Sequence, residues 1–169
     1  PALIIVKVTS ATGDWNTIAR ISDTSYSFGL ELNSTNVQYA ATNPSSTVSS
    51  TWFVPEYFTG SVSEMNASGT TYVAYLFADN TAEDVDDQMI KCGSFTTNSS
   101  GGATVNLGWQ PQFLMFKIAS GTADSWYMFD TMRNFTASKS SALFANTSAP
   151  EASSNGNTKV TSNGFDISN

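Results

Sequence analysis

PQFLMFKIAS, residues 111–120, repeats the grammar of PALIIVKVTS, residues 1–10: proline meets proline, a four-residue apolar run meets another, Lys7 meets Lys117 and Ser10 meets Ser120. Both runs are short and made of β-branched, aromatic and long aliphatic residues, which suits a pleated, half-buried strand better than a helix. The echo continues outward. Asp14-Trp15 is answered by Asp124-Ser125-Trp126, the same word with one insertion, and LELNST (30–35) is answered by LFANTS (143–148). A repeat near 110 residues is too long for a solenoid rung and has the size of a small domain.

The rest of the chain reads in the same way. Apolar stretches alternate with Gly, Asn, Ser and Thr clusters, and helical periodicity is nowhere sustained over three turns. Strands are predicted near 3–8, 15–21, 26–32, 50–54, 71–78, 88–95, 103–107, 113–118, 125–130 and 158–167. TYVAYLFA (71–78) is apolar on both faces, so a central position in a sheet is expected for it. The fold class expected is all-β, a β-sandwich built from a repeated unit of about 110 residues. The chain would hold roughly one and a half copies: a first partial unit over 1–80, an acidic linker with connecting strands over 81–110, and a second partial unit over 111–169. Together with the start at Pro1, this predicts a piece of a longer repetitive polypeptide.

Composition narrows the chemistry. Of 169 residues 40% are hydrophobic, enough for a packed core. Only 12% are charged, well under the usual share of about 25%. The net charge of −7, with 7 Lys and Arg in all, argues against nucleic acid, because gripping phosphates takes a basic surface. The absence of histidine excludes a Ser-His-Asp triad, a Cys-His dyad and His-ligated zinc. The one cysteine, Cys92, leaves no intrachain disulfide and reads as a small buried hydrophobe in a strand. No apolar run reaches the roughly 18 residues of a membrane span.

Candidate sites stand beside plainer readings. Asp79, Glu83, Asp84, Asp86 and Asp87 crowd DNTAEDVDDQ (79–88), an oxygen-rich stretch of the kind Ca²⁺ takes, with Asp79, Asp84, Asp86 and Asp87 as the ligand candidates. The same stretch reads as a solvated linker. Trp15, Trp52, Tyr57, Phe58, Trp109, Trp126 and Tyr127 are candidate sugar platforms, since a pyranose face stacks on a ring while its hydroxyls take directional hydrogen bonds. Trp52, Tyr57 and Phe58 in TWFVPEYF (51–58) are the preferred set, because this Pro-broken cluster has no counterpart in the second copy. Burial in the core is the alternative. Carboxylate pairs of the glycosidase type, drawn from Asp14, Asp23 and Glu31 or from Asp124 and Asp130, have no distinguishing spacing. Asn33, Asn66, Asn98, Asn134 and Asn146 each open an Asn-x-Ser/Thr triplet and are read as turn chemistry.

The pieces YVAYLFA, KCGSF, LGWQPQFLMFK, SWYMFDTMR and NGFDIS resemble a repeat found in bacteriophage tail and fibre-like structural proteins, often beside concanavalin-like β-sandwich modules. They cover most of the chain, the second copy more faithfully than the first, where NTIARISD (16–23) lacks the Phe-Asp and Met-Arg of 129–133. The resemblance implies a non-enzymatic module of an exposed virion appendage, a tail fibre or tailspike, with no catalytic residues. Its partners would be copies of itself, as trimers by analogy, and other virion proteins. A host-glycan or receptor-binding module and a capsid decoration protein are the alternatives.

Overall fold

The computed structural model describes residues 1–22, 25–38, 53, 65, 67–78, 89–154 and 157–168. These fall into two compact units. The first holds the described residues up to Ala78 together with 89–94 and 118–124; the second holds 95–117 and 125–168. Residues 95–110, expected as connecting chain, therefore belong with the second unit.

In the first unit β1 (Leu3–Val8), β2 (Trp15–Ser22), β3 (Ser25–Glu31) and β4 (Tyr72–Phe77) form an antiparallel sheet in the order β3-β2-β1-β4. The period of two in LIIVKV turns Ile4, Val6 and Val8 to one face, all buried. Ile4 and Val6 meet Ile18 of β2 and Met65 there, with Phe53 and Tyr72 packed against the cluster. Ile5, on the opposite face, is only 9% exposed, so β1 is covered on both sides. The Thr17 hydroxyl, buried on β2, donates to the Leu30 carbonyl at 2.7 Å and is thereby satisfied.

β4 corrects one expectation. TYVAYLFA pairs with β1 alone among the described residues, at the end of the sheet, and Tyr75, Leu76 and Phe77 are exposed. A strand apolar on both faces fits a centre and an unblunted edge equally well, and sequence cannot separate them.

The second unit is a two-sheet sandwich. One sheet is β6 (Phe113–Phe116), β7 (Tyr127–Asp130), β8 (Ser140–Phe144) and β9 (Ala152–Ser154) in sequential order; the other is β10 (Thr158–Thr161), β11 (Gly164–Ile167) and β5 (Ala103–Asn106) in the order β10-β11-β5. Phe129, Ala142, Val160 and Phe165, drawn from both sheets, make the core with Phe135 from the segment between β7 and β8. Phe95 bridges them, its ring edge-on to Phe116 at 5.9 Å and to Phe165 at 5.6 Å. The stretch 158–167, expected as one strand, is a hairpin turning at Ser162-Asn163, residues suited to a tight turn, with Gly164 at the position after the two-residue loop. Residues 89–95 are not a strand: Met89 and Ile90 are exposed and no ladder partner pairs with them among the described residues. The strand expected at 50–54 lies outside the described residues apart from Phe53.

The two echoing segments fold alike. Leu3, Ile4, Ile5 and Val6 stand opposite Ala19, Ile18, Thr17 and Asn16. Phe113, Leu114, Met115 and Phe116 stand opposite Asp130, Phe129, Met128 and Tyr127. Each partner is displaced by the one inserted residue, so the register is the same. It persists into the third strand, where Asn16 and Thr17 face Glu31 and Leu30 while Tyr127 and Met128 face Phe144 and Leu143.

Candidate functional site

The turn that closes each meander is built by an asparagine. The Trp15 backbone N–H donates to Asn33 Oδ1 at 2.9 Å, and the Trp126 N–H donates to Asn146 Oδ1 at 2.9 Å. The Trp15 carbonyl accepts from Leu32 N at 2.8 Å, and that of Trp126 from Ala145 N at 3.3 Å. Each asparagine also uses its amide N–H: Asn33 Nδ2 donates to Asp14 Oδ1 at 2.7 Å, and Asn146 Nδ2 to Ser125 Oγ at 3.3 Å. Ser125, not Asp124, thus stands in the place of Asp14. Asn98 works similarly, its Oδ1 accepting from Ser100 N and Gly102 N, and Asn134 takes a left-handed φ of 64° after the 3₁₀ turn Thr131–Arg133. Four of the five Asn-x-Ser/Thr asparagines therefore do turn chemistry; Asn66 lies outside the described residues.

The clamps differ in burial, which gives them different weights. Trp126 is 4% exposed, whereas Trp15 is only half-buried. An N–H left unpaired costs more where water cannot replace its partner. Asn146→Ala is expected to cost about 2 kcal/mol and Asn33→Ala about 1 kcal/mol, read by urea unfolding of each variant. Equal costs would show that burial around the tryptophan does not set the weight of the clamp.

In the first unit the clamp borders an aromatic shelf. Trp15 stands opposite Lys7, and Tyr75 opposite Ile5, so their rings meet across β1 with centroids 6.3 Å apart and planes at 27°. Tyr75 is 47% exposed. Asp14 and Asn33 lie at the Trp15 end, and Lys7, whose Nζ donates to the Val8 carbonyl at 3.0 Å, shares the face. An apolar ring surface beside a carboxylate, an amide and an ammonium can stack a flat or puckered ring and hydrogen-bond its substituents. Tyr75 was missed in the sequence because it lies far from Trp15 along the chain, and only the register of two strand pairs brings the rings together.

The other aromatics divide. Trp126 is core, and Tyr127 stacks on Phe116 at 5.4 Å, with Phe129 6.4 Å away along the same strand. Trp109 buries its indole N–H without a hydrogen-bond partner. Trp52, Tyr57 and Phe58, the preferred sugar candidates, and Asp79, Asp84, Asp86 and Asp87, the calcium candidates, all lie outside the described residues. Among the described residues no three metal-ligating side chains converge.

Asp14 and Asp130, one candidate from each copy, are held by structure. Asp130 Oδ1 accepts from Arg133 N at 3.0 Å, its other oxygen pairs with the Arg133 guanidinium, and Arg133 Nε lies 4.0 Å from Glu151. Asp130 is thereby the cap of the 3₁₀ turn. Burial pushes the Cys92 thiol up from its ordinary value, against a smaller downward pull from Arg20, which keeps it protonated and a poor nucleophile at neutral pH. No helix among the described residues is long and apolar enough to cross a membrane.

No curated protein and no solved structure matches the chain. The profile of DUF7483, described as a domain of unknown function, matches residues 1–169. The chain therefore belongs to the DUF7483 family.

Proposed function

We propose that the chain is a non-enzymatic structural module of a bacteriophage virion appendage, of the tail-fibre or tailspike type, assembled with copies of itself. The observation that carries this reading is the pair of three-stranded meanders with one register and one Asn–Trp clamp. Such a unit can be copied to extend a polypeptide without inventing a new core. The resemblance of LGWQPQFLMFK, SWYMFDTMR and NGFDIS to phage fibre repeats supports the same reading, as does a weakly charged, acidic composition suited to an exterior protein. Gold-labelled antibody to the chain, applied to purified particles from the source that encodes it, is expected to decorate a tail appendage. Particles free of label, with the chain abundant in the cytosol, overturn the proposal.

A second reading, adhesion to a host glycan, is favoured by the Trp15–Tyr75 shelf, whose tyrosine face is open. Tyr75→Ala is expected to weaken binding on a glycan array by about tenfold, the value of one lost stacking contact. Unchanged glycan binding removes the shelf as the site.

A further inference from the structure

β1 is flanked on both sides, by β2 and by β4, whereas β6 pairs with β7 alone among the described residues. Since β1 and β6 share one register with their following strands, the edge of β6 that lies opposite β7 corresponds to the edge of β1 that carries β4. The burial follows the pairing. Ile5, beside β4, is 9% exposed while its counterpart Met115 is half-buried, and Leu3 is half-buried while its counterpart Phe113 is 54% exposed.

Hydrogen-bond parity identifies the groups at that edge. Thr131 N donates to the Gln112 carbonyl at 3.0 Å. Bonded positions alternate along an antiparallel pair, so Leu114 and Phe116 turn their backbone groups to β7, and Phe113 and Met115 turn theirs away. β1 has the same parity. Arg20 N donates to Ala2 O at 2.7 Å on the β2 side, and Thr9 N to Thr71 O at 2.9 Å on the β4 side. Leu3 and Ile5 therefore face Phe77 and Tyr75 on that side, and at the strand's start the Phe77 carbonyl accepts from Ala2 N at 2.7 Å. The β6 run FLMF contains no charge, no proline and no glycine, and an edge of that kind is a template for another strand.

We propose that the β6 edge is an acceptor for a strand of the β4 sequence type, supplied by a second polypeptide that carries this repeat. The incoming strand runs antiparallel, with its Phe77 position against Phe113 and its Tyr75 position against Met115. Backbone bonds give the affinity, and the apolar side chains on both of its faces complete the sheet as β4 does beside β1. The inference concerns how units join and holds whatever particle carries them.

A labelled peptide of residues 70–79, TTYVAYLFAD, titrated into the full chain tests it. Saturable binding is expected, with hydrogen exchange at the Phe113 and Met115 amides slowed by about tenfold or more and exchange at Leu114 and Phe116, already bonded to β7, unchanged. A peptide N-methylated at Tyr75, whose N–H faces the acceptor, is expected to bind at least about tenfold more weakly, while one N-methylated at Ala74, facing away, binds within about threefold of the parent. Phe113→Lys, at an exposed position that leaves the core alone, weakens the parent peptide to a similar extent. Absence of saturable binding, protection confined to β1 by exchange with β4, equal effects of the two N-methyl groups, or association of whole chains that the peptide does not compete overturns the proposal.

Discussion

Phe129→Ala is expected to cost the second unit about 3–5 kcal/mol, a loss on the scale of the whole stability of a small domain. Phe129 is 2% exposed, on the inner face of β7, with ring centroids 5.9 Å from Phe116 and 5.7 Å from Phe135. Phe135, 1% exposed, follows the 3₁₀ turn and is anchored by its N–H to the Asp130 carbonyl at 3.0 Å. Removing the ring leaves a void lined by aromatics that are themselves fixed by strand pairing, so little collapse can relieve it. For a unit of this size the loss lowers the midpoint of thermal unfolding by about 15 °C or more. Met132→Ala, three residues on and 93% exposed, is the control, expected within about 0.5 kcal/mol of the parent. A cost below about 1 kcal/mol for Phe129→Ala would mean that the aromatic cluster does not hold the two sheets together.

What the sequence discloses here depends on how local the signal is. β1, β2, β6 and β7 are legible because each is a compact β-rich run, and because the echo of PALIIVKVTS in PQFLMFKIAS marks where to look for its partners. The asparagine clamp was legible as LELNST answering LFANTS, although the function of Asn33 and Asn146 was not, since the acceptor role appears only when the third strand returns to the Trp of the second. β9, the three-residue ASS, has no apolar pattern and exists by pairing Ala152 and Ser153 with Ala142 and Ser141. The place of β4 at the end of the sheet among the described residues and the meeting of Trp15 with Tyr75 both depend on long-range register, which periodicity does not encode. Residues 89–95 show the opposite failure: Met89 and Ile90 look like strand material, yet β propensity alone makes no ladder, and none includes them among the described residues.

Gly164→Ala is expected to destabilise the second unit by about 3 kcal/mol or more, from a single added methyl group. A Cβ on Gly164 would fall on the Val105 carbonyl oxygen, well inside contact, and would also stand 3.0 Å from the Val105 carbon and 3.2 Å from Leu107 N. These are backbone atoms of and just after β5, and they cannot rotate aside as a side chain would. The crowding arises because the hairpin turn at Ser162-Asn163 is stitched to that same segment: the Asn163 carbonyl accepts from Leu107 N at 2.7 Å and from Gly108 N at 3.1 Å. To admit the methyl group, β11 must separate from β5, which breaks the pairing of Gly164 with Asn106 and of Phe165 with Val105 and lifts Phe165 from the core. Gly69→Ala separates this cause from mere backbone preference. Gly69 has a φ of 73° with nothing within 4 Å of an added Cβ, so its penalty is conformational alone, about 1–2 kcal/mol. Urea unfolding of the two variants, followed by near-ultraviolet circular dichroism, ranks them; a Gly164→Ala cost no larger than that of Gly69→Ala would show that β5 and β11 can part without disturbing the sandwich, and that the close approach at Gly164 is not what closes the three-stranded sheet.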